Sequence, residues 1–154
     1  MLNPQITIGA LILISSVNAS AFSDEQKQLN PCLTTVALPW SISLVKPGAM
    51  PPEFKNWSAA YTGHWNENDG SKVCTAVFIG SVRDNGYVRA TYTNADPYKR
   101  VHMLTGGIKT TDGRQTLTIS NDANTWSISY VLLEDGKLEA TTWTGKTGSL
   151  QPVR

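Results

Sequence analysis

Gln115-Thr116-Leu117-Thr118-Ile119-Ser120 alternates polar and apolar residues, the period of a strand with one face buried. Asp112-Gly113 separates it from the run Tyr98 to Thr110, and Asn121 to Asn124 from the run Thr125 to Leu133. The same grammar extends in both directions. Strand-like runs cover Ser58 to Glu67, Ser71 to Val82, Tyr87 to Asn94, Tyr98 to Thr110, Gln115 to Ser120, Thr125 to Leu133, Lys137 to Thr144 and Gly148 to Arg154. The remaining separators are Asn68-Asp69-Gly70, Asp84-Asn85-Gly86, Ala95-Asp96-Pro97, Asp135-Gly136 and Lys146-Thr147, where Asn, Asp and Gly readily supply positive φ.

Connections this short join only antiparallel neighbours, so the eight runs form one sheet. Joining its first strand to its last removes both exposed edges. The expected fold is all-β, a single eight-stranded antiparallel up-and-down barrel. A barrel of that size is either filled by its own side chains or holds one small ligand. Tyr61, Gly63, Trp65 and Glu67 share one face of the first run, and Trp126, Ile128, Tyr130 and Leu132 share one of the sixth. If both faces point inward, aromatic rings occupy much of the lumen.

Upstream the texture changes. Pro31, Pro39, Pro47, Pro51 and Pro52 remove backbone donors along one stretch, which argues against a helix or central strand there. Residues 22–56 therefore read as a Pro-rich arm laid over a barrel of residues 57–154, with Trp40, Ile42, Leu44 and Val45 as anchors. Phe22 to Asn30 is polar, either mobile or a short helical turn. Residues 1–21 read as a secretory signal peptide, with an apolar run from Ile6 to Ile14 and the small triplet Ala19-Ser20-Ala21 placing the cut after Ala21. That run of nine residues is too short to cross a membrane, which needs about 20. The protein is thus expected in the periplasm or secreted, without a membrane span after cleavage. In an oxidising compartment Cys32 and Cys74 are expected to pair, against the alternative of two buried thiols.

Charge and motifs narrow the function. The formal net charge is +1, and Lys and Arg are scattered, so there is no basic stripe to displace counterions from nucleic acid. His64 and His102 are the only histidines, without an H-x-x-H or C-x-x-C, so no metal site is expected. No nucleophile elbow, catalytic carboxylate pair or phosphate loop stands out, so neither a cofactor nor an enzymatic activity is expected. Gly106-Gly107 is read as a bulge bending the long fourth strand.

Gly63-His64-Trp65 with a terminal Arg154 resembles the opening and closing of the calycin group, the lipocalin-like and avidin-like small barrels. Pro51-Pro52, Tyr92, Arg100 with Gly107-Ile108, and Asp135-Gly136-Lys137-Leu138 extend the resemblance to lipocalin-like modules of bacterial exported proteins, over about residues 51 to 154. It implies barrel closure by Gly63, Trp65 and Arg154, with the Arg154 guanidinium lying across the Trp65 indole. It also implies a non-catalytic barrel, monomeric, that binds a small apolar or amphipathic ligand or serves as an accessory module. The alternative is a protein-binding inhibitor of the periplasmic protease-inhibitor type, acting through its arm or loop ends. Inward parity and polarity make Glu67, Tyr92, Arg100, Tyr130 and Trp143 the candidate ligand contacts.

Overall fold

The computed structural model describes residues 21–39, 41–46, 48–95 and 100–154. The expected signal segment up to residue 20, Trp40 and Tyr98 lie outside these residues. Eight strands run β1 (Ala60–Asn66), β2 (Lys72–Val82), β3 (Tyr87–Asn94), β4 (Val101–Thr111), β5 (Arg114–Ser120), β6 (Ser127–Leu132), β7 (Leu138–Thr142) and β8 (Thr147–Pro152). Each pairs antiparallel with the next, and β8 returns to pair with β1, closing the barrel. The turn chemistry acts as read: Asp112 and Gly113 take φ of 51° and 75°, the two positive values that let a two-residue hairpin follow the strand twist.

Closure depends on two glycines in opposite walls. A Cβ on Gly63 would lie 2.0 Å from the Ser149 carbonyl oxygen of β8, and one on Gly106 would lie 1.8 Å from that of Thr118 in β5. Only hydrogen fits where these strands approach their neighbours so closely. Gly106-Gly107 is therefore a point of close strand approach and not the expected bulge, because the β4–β5 register runs through it unbroken. The bulge falls instead in β2, where the register shifts between Ile79 and Ser81.

Barrel closure does not use Arg154. Trp65 pairs with Gly148, whereas Arg154 follows Pro152, which pairs with Tyr61 near the other end of β1. Val153 donates its backbone N–H to the Ala60 carbonyl, leaving Arg154 exposed at that far end. Five residues of strand between Ala60 and Trp65 amount to about 17 Å, beyond the reach of a stacked guanidinium. Arg154 lies two residues after β8, past the indole, and it is Gly148 that gives the indole room: a Cβ there would lie 2.7 Å from a Trp65 ring carbon.

The lumen is packed. Tyr61, Trp65, Val77, Ile79, Val88, Leu104, Leu117, Ile119, Ile128, Tyr130, Leu138 and Leu150 form one buried cluster inside the wall. A second apolar layer lies outside it, where Phe22, Leu33 and Val36 cover Ala60, Ala76 and Phe78 of β1 and β2. The two faces of β2 are thus both buried, which is why Val73 to Ile79 reads as continuous apolar sequence and not as alternation.

The arm makes that outer layer, and it contains helix. Ser23 caps α1 (Asp24–Leu29) by accepting from the Gln26 N–H, while the Gln26 side chain accepts from the Ser23 N–H. Pro31 immediately precedes α2 (Cys32–Thr35), so its missing N–H falls where a helix start has no internal partner. The expectation that the prolines exclude helix is corrected on this point. Ile42, Leu44 and Val45 do pack on the barrel, and Val45 donates its N–H to the Ile79 carbonyl at 2.8 Å. The main anchors, Phe22, Leu33 and Val36, lie in the segment read as polar or extended. A Cys32–Cys74 disulfide fastens α2 to β2. Among the described residues no helix is long and apolar enough to cross a membrane.

Candidate functional site

The β1, β3, β5 and β7 strands all end on one rim, called here the upper, and the two rims are finished differently. At the lower rim the 3-10 turn Pro52–Phe54 brings Phe54 and Trp57 under the lumen. Trp57 Nε1 donates to Gln115 Oε1 at 2.8 Å, Gln115 Nε2 donates to the Glu53 carbonyl at 2.8 Å, and the Ser58 N–H donates to the Tyr61 hydroxyl at 2.7 Å. Phe54 and Trp57 are buried at 2% and 4% exposure, so this end is sealed.

At the upper rim the strand alternation turns inward residues toward the opening. Tyr92 and His102 are cross-strand partners on β3 and β4, with ring centroids 6.1 Å apart. Trp126, just before β6, meets His102 edge-on at 5.2 Å and Tyr92 at 6.2 Å. Trp143, just after β7, lies 5.9 Å from Trp126. The four rings bridge from one wall toward the other, and Trp143 remains 60% exposed. Across the rim Lys146 Nζ meets Glu67 Oε1 at 2.6 Å.

Polar groups adjoin the rings. Trp65 Nε1 donates to the Tyr92 hydroxyl at 3.0 Å, and Asn94 Nδ2 donates to the same oxygen at 3.3 Å. Burial pushes the Tyr92 hydroxyl pKa upward, opposed by its hydrogen bonds with Thr75, Trp65 and Asn94 and by the charge of Lys146. Burial also drives Tyr130 well above the ordinary phenol range, with the neighbouring Tyr92 adding to it. The Tyr130 hydroxyl and Asn94 Oδ1 are buried without a hydrogen-bond partner among the described residues. Each such group costs about 1 to 3 kcal/mol, so their coincidence with the ring cluster marks this half of the lumen as unlike the other.

The structure places Glu67, Tyr92, Tyr130 and Trp143 at or under the upper rim, and Arg100 enters β4 from the same side. The ring cluster is completed by His102, whose parity with Leu104 allows either a cavity mouth or an exposed position, and by Trp126, which the sequence offers as a structural residue of the lumen with Ile128. Arg154 lines a different groove, with Leu29, Asn30 and Lys137 on the outer wall. His64 also faces outward, with Nε2 3.3 Å from Cys32 Sγ and 3.7 Å from Cys74 Sγ, beside a groove of about 330 Å³. No sequence spacing signalled that meeting, because the three residues come from α2, β1 and β2.

No family model matches the chain, and no curated protein does. Among solved structures a redesigned β-barrel is similar to it over 69% of this chain and 99% of that one, at 15% identity and a TM-score of 0.50. At that identity the likeness concerns the fold alone. Together with the strand pairing it defines the class: an all-β protein built on a closed eight-stranded antiparallel barrel.

Proposed function

We infer that the protein is an exported, non-catalytic lipocalin-like barrel that binds a small amphipathic ligand at its upper rim, against the rings and not deep in the lumen. The observation carrying this reading is the partly exposed cluster of Tyr92, His102, Trp126 and Trp143 beside two buried polar atoms that have no hydrogen-bond partner among the described residues. Small-ligand sites combine an apolar wall with a few placed polar groups, and this rim supplies both. The ligand would lay an apolar face on Trp143 and Trp126 and direct a hydrogen-bond donor toward Asn94 Oδ1. The Cys32–Cys74 disulfide is compatible with export.

Inhibition of a partner protein through the arm is less favoured, because the described arm is bonded along the wall: Thr93 donates to the Ala37 carbonyl at 2.8 Å, and α2 is tied by the disulfide. Native mass spectrometry of protein purified from its own host tests the reading. A small-molecule adduct that is lost in Trp143→Ala supports it; an adduct retained by that variant, or a bound polypeptide in place of a small molecule, overturns it.

A further inference from the structure

His64 projects from β1 directly opposite Cys74 of β2 in the strand register, and α2 brings Cys32 over both. The imidazole Nε2 and the two sulfurs all lie within 4.8 Å of one another. A tetrahedral centre with metal–sulfur bonds of about 2.3 Å and metal–nitrogen bonds of about 2.0 Å has sulfur–nitrogen edges of roughly 3.5 Å. The observed separations, 3.3 Å to Cys32 and 3.7 Å to Cys74, bracket that edge. The imidazole nitrogen is already turned toward the sulfurs although His64 is exposed and could have faced water. What keeps the three from being a ligand set is the covalent bond between two of them.

We propose that reduction of the Cys32–Cys74 bond converts this corner into a Cys₂His site for a thiophilic divalent cation of the zinc type. A dithiol reductant delivers two electrons and two protons to the disulfide and leaves as its own disulfide. The cation then displaces the two thiol protons to solvent and bonds both thiolates and neutral His64 Nε2. Two sulfurs and one imidazole are a soft set that favours zinc over magnesium or calcium. The fourth position opens on the groove lined by Asn66, Lys72 and Lys137. Two thiolates cancel the dication, so the loaded centre is neutral beside those lysines, whereas the oxidised corner has no anion to hold a cation. Either linkage fastens α2 to β2, so Leu33 and Val36 stay over Ala76 and Phe78 in both states.

Cobalt(II), added without oxygen to protein reduced by a phosphine, provides the test. The reduced protein should develop thiolate charge-transfer and tetrahedral ligand-field bands saturating at one equivalent, and the oxidised protein should develop neither. His64→Ala, a change at an exposed position, should weaken binding by at least about tenfold, and Cys74→Ser should remove the charge-transfer band. Zinc should displace cobalt and bleach the spectrum. Equal cobalt affinity in the reduced wild type and His64→Ala, or no bands in the reduced wild type, overturns the proposal.

Discussion

At the lower rim Trp57 is 4% exposed and its indole N–H donates to Gln115, which is itself held by the Glu53 carbonyl. At the upper rim Trp143 is 60% exposed and the polar atoms beside the rings include two with no hydrogen-bond partner among the described residues. The same aromatic chemistry closes one end as core and leaves the other as surface. The difference comes from chain connectivity: residues 48–57 pass under the lower rim and deliver a plug, whereas among the described residues the upper rim is bordered by short turns. Stability is therefore concentrated below, the proposed recognition lies above, and substitutions at the two ends should separate these properties.

The largest effect belongs to the sealed end. Trp57→Ala should cost about 3 to 5 kcal/mol in urea unfolding, because it leaves a cavity under Tyr61 and frees Gln115. A loss below about 1 kcal/mol would mean that the plug is not part of the core. Next comes the outer layer. Replacing Cys32 and Cys74 together by Ser releases a crosslink spanning 42 residues and should cost about 2 to 4 kcal/mol. If the barrel melts at an unchanged temperature while only α1 and α2 lose structure, the outer layer folds independently of the lumen.

How much of this could be read from sequence follows from the range of the physics involved. Strand positions and turns are local: Asp112-Gly113 and the alternation of Gln115 to Ser120 specify a hairpin whatever surrounds them, and closure follows from edge protection. The inward parity of Tyr61, Trp65, Ile128 and Tyr130 was legible for the same reason. Contacts between distant segments were not. The short helical turn was one of two readings of Phe22 to Asn30, and the capping box of Ser23 and Gln26 decides for it. Phe22 lies beside the expected cleavage point and gave no sign that its ring would meet Phe78 at 5.5 Å. Arg154 was placed by analogy, and strand register alone could have placed it correctly. The upper rim was half legible: inward parity selected Tyr92 and Tyr130, but joining Trp126 to Trp143 requires knowing that β6 and β7 end beside each other.

Alkaline pH probes the unequal polar satisfaction of the two ends. Burial raises the hydroxyl pKa of Tyr61, Tyr92 and Tyr130 from an ordinary value of 10.0. Above that value the unfolded chain gives up these protons while the folded chain keeps them, which favours unfolding. The stability they contribute is full below about pH 10 and is lost as pH climbs toward the folded values. Urea midpoints should hold to about pH 9 and fall by pH 11, with the fall reduced in Tyr130→Phe. An identical fall in that variant would assign the titration to other groups. At neutral pH the same variant removes a buried hydroxyl without a partner among the described residues, so stability should be unchanged or gain up to about 1 kcal/mol. A loss of more than about 1 kcal/mol would reveal that the hydroxyl is satisfied.

The smallest stability effect is expected where the proposed functional effect is greatest. Trp143 follows β7 and its contact with Trp126 leaves most of the indole in water. Trp143→Ala should therefore shift unfolding by no more than about 0.5 kcal/mol, as for exposed positions generally. The contrast with Trp57 is the point of the measurement: two tryptophans at opposite rims, one removing several kcal/mol and the other almost none. A large loss at Trp143 would mean that the rings close the lumen as the lower plug does, and the upper rim would then be core by construction. A negligible loss, together with disappearance of the small-molecule adduct, would leave recognition as the reason a large indole stands exposed at the barrel mouth.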